Sequence, residues 1–174
     1  MLPHLVDQER LVILRTLSKI GLAGLRIGYV VTHSSLVAEL EKVRLPFNVN
    51  AFSQAAAVVL LFHREWIDAN VSEVIRERAR VAKRLTAIPG VEVFPSQANF
   101  ILFRTTHPGN EVFEGLFAEG VLVRNLGSVP DLLNCLRVTV GTEEENERFL
   151  AALTKVMRQY EGCEVQRSDR KSVV

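Results

Sequence analysis

Thr16-Leu-Ser-Lys-Ile-Gly-Leu-Ala-Gly-Leu-Arg-Ile-Gly-Tyr29 is the stretch that decides the fold. An apolar run over 11–14 precedes it, and a second apolar run begins inside it and covers 27–31. The first run is short and partly β-branched, which predicts a buried strand, and the second predicts another strand after a bend. The bend is rich in glycine, with Gly21, Gly24 and Gly28.

Four polar side chains of this bend suit a carbonyl compound that also carries a phosphate. Lys19, at the end of the first strand and near another cation, could act as an amine nucleophile if it is partly desolvated. Thr16, Ser18 and Arg26 supply hydroxyls and a planar guanidinium, which together suit a phosphate. Pyridoxal 5′-phosphate (PLP) has both groups, so the residue types favour PLP as a cofactor.

A simpler interpretation of the same stretch stays open from the residue types alone. Lys19 could be a solvated surface charge, and the glycines could serve only as turns. Their spacing fits neither the dinucleotide-binding fingerprint nor a P-loop, in which the lysine follows the glycines.

Ser-Lys-x-Gly-Leu-Ala-Gly-Leu-Arg-x-Gly-Tyr, over 18–29, resembles the PLP-lysine segment of class I/II aminotransferases of fold type I. Within that family it is most similar to the histidinol-phosphate aminotransferases, and the resemblance extends to about residue 160. It implies that Lys19 is the catalytic lysine that bonds to PLP. It also implies that Thr16, Ser18 and Arg26 bind the cofactor phosphate.

Composition excludes several other classes of protein. The chain has 174 residues, 48% hydrophobic and 24% charged, and its formal net charge is +1. These values are typical of a globular protein and give no electrostatic reason to expect nucleic acid or a membrane as partner. Cys135 and Cys163 have no metal-ligand spacing, so we expect no metal site and two reduced thiols in a cytoplasmic protein.

Hydrophobic periodicity and turn residues predict an α/β chain. Helices dominate up to about residue 90, and strands separated by a helix follow. Expected helices cover 36–43, 51–62 (apolar all round, hence buried), 64–87 (long and polar), 110–119 and 143–160. We expect Ser34-Ser35 to cap the first helix, Asn48 and Asn50 to serve in a loop or as a cap before the second, and Thr142 to cap the last. The charged residues of the third helix are expected to be solvated. Expected strands after residue 90 cover 91–94, 99–103, 121–124 and 136–140. By resemblance, 1–70 is the end of the large PLP-binding domain, 71–160 is a small α/β sandwich domain, and 161–174 is a disordered tail.

Two arginines interrupt apolar strands. From the residues alone, an arginine in such a strand, as at Arg124 and Arg137, is more often part of a structural ion pair or a residue at a sheet edge than a ligand-binding residue. The resemblance implies that Arg137 holds the substrate α-carboxylate, that Arg124 lies near the distal phosphate of the substrate, and that Asn99 faces the active site. For Asn99 a capping or turn role is equally open, and Arg148 is expected on the surface.

The resemblance implies a homodimeric enzyme of histidine biosynthesis. It would move an amino group between L-histidinol phosphate and 2-oxoglutarate, so its partners would be an amino-alcohol phosphate and amino or keto acids. Members of the family are longer and carry their lysine in the second half, so we expect this chain to correspond to a C-terminal half. Two alternatives stay open: a lyase similar to threonine-phosphate decarboxylase, and an inactive fragment or binding module.

Overall fold

The computed structural model describes residues 9–171, with side chains to Tyr160, and it divides into two compact units between Val71 and Ser72. The chain combines helices and antiparallel sheets, so the predicted α/β class is confirmed. The assignment of 1–70 and 71–160 to particular domains of the family stays a prediction. Within the described residues, we find no helix with the length and apolar character needed to cross a membrane.

Helices and strands follow one another in the order that the sequence predicts. Their bounds are β1 (Val12–Thr16), β2 (Gly28–Thr32), α1 (Ser34–Val43), α2 (Ala51–Phe62), α3 (Arg64–Thr86), β3 (Val91–Val93), β4 (Phe100–Thr105), α4 (Gly109–Ala118), β5 (Arg124–Asn125), β6 (Cys135–Thr139) and α5 (Glu143–Lys171).

An antiparallel ribbon of β1 and β2 forms the centre of the first unit. Its register pairs Val12 with Thr32 at the open end and Thr16 with Gly28 at the bend. A Cβ atom at position 28 would lie 3.0 Å from the carbonyl oxygen of Arg15, so this position favours glycine. Both predicted strands are therefore confirmed, and the bend between them is closed at its base. The burial expected for the first strand was wrong, because only Ile13 of β1 is buried.

The two helices that follow the ribbon begin at side-chain caps. Asn50 caps α2, because its Oδ1 accepts a hydrogen bond from the backbone N–H of Ser53 at 2.8 Å. The capping role expected for Asn50 is thus confirmed. At α1 the cap is His33, whose Nδ1 accepts from the N–H of Ser35, and not one of the two serines that we expected.

Helix α2 is not the buried helix that its composition predicts. Only Ser53 and Ala57 are buried, while Phe52 and Phe62 are 82% and 83% exposed. Apolar composition shows that a helix has surface to bury, but the small cluster of Leu17 and its neighbours covers only one side of α2. The remaining apolar surface has no partner among the described residues.

Helix α3 has one residue that the sequence interpretation misplaced. We expected its charged residues to be solvated, but Glu77 is 1% exposed. Its carboxylate accepts two hydrogen bonds from Arg80, at 2.9 and 2.8 Å, and one from Asn146 Nδ2 at 2.9 Å. Glu77 lies three residues after Val74 and four before Val81, which puts it on the apolar face of the helix.

The second unit is built on a four-stranded antiparallel sheet with strand order β3-β4-β6-β5. Its core consists of side chains that point from one face of the sheet and from α3, α4 and α5. The most completely buried of them include Leu85, Ile101, Phe103, Val112, Leu116, Leu136, Leu150 and Leu153. Helices on one face of an antiparallel sheet give the α/β sandwich that we expected.

Helix α5 begins where predicted but ends later. Thr142 and Glu145 form a reciprocal cap: Glu145 Oε2 accepts from the N–H of Thr142 at 2.8 Å, and Thr142 Oγ1 accepts from the N–H of Glu145 at 3.3 Å. The backbone continues as helix to Lys171, beyond the end expected near Tyr160. No proline follows Tyr160, and a single glycine costs only about 1 kcal/mol in a helix. Residues 172–174 of the predicted disordered tail lie outside the described residues.

Candidate active site

All four residues predicted for cofactor binding lie on the bend between β1 and β2. The bend consists of two short 3₁₀ turns, and the N–H of Leu17 donates to the carbonyl of Ile27 at 3.1 Å across its base. Thr16 caps the first turn, since its Oγ1 accepts from the N–H of Ser18 at 3.1 Å. The same hydroxyl donates to Ser18 Oγ at 3.0 Å. The structure therefore brings Thr16 and Ser18 into direct contact.

Arg26 occupies an unusual backbone conformation at the far side of the bend. Its φ angle is +57°, in the left-handed region, and its N–H donates to the carbonyl of Ala23 at 3.3 Å. A residue with a Cβ costs roughly 1–2 kcal/mol there relative to the right-handed region. Such strain is concentrated at functional sites, where the residue type is needed for its side chain. Gly21, with φ of +91°, makes the other left-handed turn of the bend.

Lys19 stands on the first 3₁₀ turn, one residue after Ser18. Its side chain is exposed, so the described residues do not provide the desolvation that we expected around it. One glycine-rich bend thus carries two hydroxyls in contact, an arginine and a lysine. This set of side chains suits a phosphorylated aldehyde. The donor set therefore fits PLP, and the roles of the individual residues stay predictions.

In the second unit, Arg124 and Arg137 are directly opposite each other. They are cross-strand partners of β5 and β6, so both side chains project from the same face of the sheet. That face is the one without helices, and both arginines are exposed. The sequence placed each arginine in a strand but did not predict that the two would be neighbours.

Neither arginine is neutralised within the part of the chain that the structure describes, since no carboxylate there forms an ion pair with Arg124 or Arg137. Like charges directly opposite on a sheet are destabilising. An anion held by both guanidinium groups would offset this repulsion, which favours ligand binding over the ion pairs that we considered.

Phe100 is a residue of this region that the sequence interpretation missed. The guanidinium carbon of Arg137 lies 5.1 Å from the centre of the Phe100 ring, within cation–π range. Phe100 pairs with Thr139 in the register of β4 and β6, so it is the diagonal neighbour of Arg137. The ring orients Arg137 on the open face. Only the strand register would have revealed this contact.

Asn99 immediately precedes Phe100 and is half-buried. Its carbonyl accepts from the N–H of Val140 at 2.9 Å, which joins the start of β4 to the end of β6. Arg78 Nη1 donates to the carbonyl of Ala98 at 2.9 Å and holds the same loop. The backbone of Asn99 thus extends the pairing of β4 and β6 by one residue. The capping, turn and active-site roles considered for Asn99 all stay predictions.

Comparison with known proteins identifies the family. The model of the aminotransferase class I and II family matches residues 2–153. The chain belongs to this family. The resemblance stated from the bend around Lys19 is therefore confirmed at the level of the family.

Relatives within the family carry a more specific name. Histidinol-phosphate aminotransferase of Aquifex aeolicus is 49% identical over 154 residues, which cover 88% of this chain and 44% of the relative. The chain thus spans less than half the length of the curated relative that it matches.

Solved structures share the fold at lower identity. Histidinol-phosphate aminotransferase from Clostridium acetobutylicum matches with a TM-score of 0.82 at 26% identity, over 91% of this chain and 49% of that one. The enzyme from Sinorhizobium meliloti, solved in complex with pyridoxal-5′-phosphate, has a TM-score of 0.77 at 26% identity, with coverages of 88% and 43%. L-threonine-O-3-phosphate decarboxylase from Porphyromonas gingivalis matches with a TM-score of 0.78 at 26% identity, over 90% of this chain and 49% of that one.

Proposed function

We propose that this protein is a PLP-dependent aminotransferase that acts on L-histidinol phosphate and 2-oxoglutarate. The observation that carries the proposal is the bend of Lys19, Thr16, Ser18 and Arg26 in a chain 49% identical to a histidinol-phosphate aminotransferase. The matched relatives carry more than half of their length outside the shared segment. The reaction is therefore proposed for a protein in which that length is also present.

In this proposal the bend holds the cofactor. Arg26 and the two hydroxyls would bind its phosphate, because a guanidinium fork and hydroxyl donors match phosphate oxygens. Lys19 Nζ would hold the cofactor through its aldehyde carbon, with the carbonyl oxygen lost as water. When bound, PLP supplies an electron sink for the negative charge that develops at the substrate α carbon.

Lys19 would have a second task when its amine is free. Its free amine would accept the proton from the substrate α carbon and later return a proton, acting as general base and then general acid. This task requires a neutral amine. Because Lys19 is exposed in this chain, the proposal needs a further surface over the bend to desolvate it.

The open face of the second unit would hold the substrate. Arg137, oriented by the Phe100 ring, would bind the α-carboxylate of the amino or keto acid, and Arg124 the distal phosphate. For Asn99 we propose a contact with the substrate on the strength of the family resemblance alone. We also propose a cytoplasmic homodimer, as the family resemblance suggests.

The test is a transamination assay of the complete protein with L-histidinol phosphate and 2-oxoglutarate. We expect formation of glutamate, and we expect Lys19→Ala to abolish turnover while Lys42→Ala, an exposed lysine of α1, leaves it unchanged. Near-normal turnover of Lys19→Ala would reject the assignment.

A second function has support from one comparison, the similarity to threonine-phosphate decarboxylase. Released carbon dioxide measured with L-threonine O-3-phosphate separates the two reactions. Release of carbon dioxide without formation of glutamate would favour the lyase.

A further inference from the structure

Asn146, near the start of α5, is a buried residue whose side chain is hydrogen-bonded at both ends. It is 3% exposed. Its Oδ1 accepts from the N–H of Gly141 at 3.0 Å, and its Nδ2 donates to the carbonyl of Gly141 at 3.0 Å. The same Nδ2 donates to the carboxylate of Glu77 in α3 at 2.9 Å. Because a carboxylate only accepts, Glu77 fixes which end of the amide faces α3. One side chain thus holds both backbone groups of Gly141.

Gly141 follows the strand that carries Arg137. It lies four residues after Arg137, and only Val140 separates it from the end of β6. The N–H of Val140 donates to the carbonyl of Asn99 at 2.9 Å, beyond the paired residues of β4 and β6. Asn146 therefore holds the backbone at the point where β6 leaves the sheet.

The start of β4 is held from the same helix. Arg78 follows Glu77 in α3, and its Nη1 donates to the carbonyl of Ala98 at 2.9 Å. Phe100 lies two residues after Ala98, and its ring contacts the guanidinium group of Arg137. Two adjacent residues of α3 thus hold the neighbouring ends of β4 and β6, the strands that carry Phe100 and Arg137.

The start of α5 does not need the side chain of Asn146 as a cap. Thr142 and Glu145 already form the reciprocal cap of this helix. The hydrogen bonds of Asn146 are therefore additional to those that begin the helix, and they all go to Gly141 and to α3. A fully satisfied buried polar network of this kind fixes the geometry of the segments that it joins.

We propose that Asn146 is a positioning residue for the substrate site: by holding Gly141, it fixes the end of β6 and the direction in which Arg137 presents its guanidinium group. This inference deepens the proposed function and rests on it for the role of Arg137 at the substrate α-carboxylate. A paired contact between guanidinium and carboxylate depends on alignment, and a displacement of about 1 Å at such a group can cost roughly 100-fold in rate. Asn146 itself does not touch the substrate.

Steady-state transamination by the complete protein, with 2-oxoglutarate as the varied substrate, tests the proposal. We expect Asn146→Ala to raise KM for 2-oxoglutarate roughly tenfold with a much smaller change in kcat, because a misaligned Arg137 weakens binding. Val156→Ala is the matched control, since it truncates another buried side chain of α5, ten residues further along the helix. It should lower the urea midpoint and leave KM unchanged.

A double-mutant cycle with Arg137→Gln separates positioning from a loss of stability. Arg137→Gln alone should raise KM, and adding Asn146→Ala should raise it no further, since no guanidinium group remains to be positioned. Hydrogen exchange should be faster at the N–H groups of Val140 and Gly141 in Asn146→Ala. Glu77→Gln keeps an uncharged acceptor for Asn146, so it should raise KM less, and it provides the test if Asn146→Ala does not fold.

The outcomes distinguish this inference from the proposed function. Unchanged KM in Glu77→Gln and in folded Asn146→Ala would overturn the positioning role and leave the proposed function standing. The same conclusion would follow if the increase in KM of the double variant equalled the product of the two single increases. If the unmodified complete protein formed no glutamate, the proposed function would fail, and this inference with it.

Discussion

The two units of the chain differ in how completely they bury their own apolar surface. In the second unit, side chains from α3, α4, α5 and the sheet form a continuous core with many fully buried members. In the first unit the buried cluster is small, and apolar side chains of α2 and of the ribbon are exposed. A two-stranded ribbon is marginal on its own, and large apolar patches are typical of surfaces that another polypeptide covers.

The two candidate sites therefore lie on units that differ in the size of their cores. The lysine bend lies on the unit with little core, whereas the opposed arginines lie on the unit with a complete one. The exposed side chains of the first unit include Leu14, Tyr29, Phe47, Phe52, Val58, Leu61 and Phe62. We therefore expect the same substitution to have very different effects in the two units.

Truncation of one phenylalanine in each unit has the largest expected effect. Phe103 is 0% exposed at the centre of the second core, so Phe103→Ala should lower the free energy of unfolding of that unit by about 3–5 kcal/mol. Phe52→Ala, at an 82% exposed position, should change stability by less than about 0.5 kcal/mol. Urea unfolding followed by circular dichroism measures both. Equal losses would contradict the contrast between the units.

Glu77 should stabilise the second unit through its buried hydrogen bonds. Glu77→Ala removes one acceptor of Asn146 Nδ2 and leaves Arg80 with Glu147 as its remaining carboxylate, so the loss should be about 1–3 kcal/mol. Glu73→Ala on the same helix is the control, because the Glu73–Arg76 pair is exposed and worth less than about 1 kcal/mol. A similar urea midpoint for the two variants would show that the buried hydrogen bonds of Glu77 do not stabilise the fold.

The second unit should also lose stability in acid through this carboxylate. Hydrogen bonds from Arg80 and then from Asn146 lower the pKa of Glu77 from 4.5 to about 2. A lowered folded pKa stabilises the fold above the unfolded pKa, and this contribution is lost as the pH falls from 4.5 towards 2. Urea midpoints of the unmodified chain should therefore fall over this range. Glu77→Gln should show a flatter profile, and an equally steep one would contradict the assignment.

The sequence predicted features that depend on neighbouring residues along the chain. The caps by Asn50 and Thr142 and the bend around Lys19 are local, so residue types and spacing were sufficient. The opposition of Arg124 and Arg137 depends on strand register, which is set by residues distant in the sequence. The prediction that α2 is buried was wrong. Composition shows how much apolar surface a helix carries but not whether another segment covers it. For Glu77 a signal existed, since its spacing from Val74 and Val81 follows the apolar face.

The smallest predicted effect on stability concerns the strained backbone of the bend. Arg26→Gly removes the unfavourable left-handed conformation but makes the unfolded chain more flexible, so the net change should be within about 1 kcal/mol. The loss should appear in cofactor binding, because glycine has no guanidinium for a phosphate. Thermal unfolding and PLP titration of the same variant separate the two effects. Unchanged PLP affinity would remove Arg26 from the phosphate site.

Covalent trapping tests the assignment of the bend most directly. The complete protein is incubated with PLP, reduced with borohydride, digested and analysed by mass spectrometry. We predict that the label is concentrated on Lys19 rather than on Lys42, Lys83, Lys155 or Lys171, and that pyridoxal, which lacks the phosphate, labels Lys19 less. A label spread evenly over the lysines, with no preference for the phosphorylated form, would contradict the account of this bend as a cofactor site.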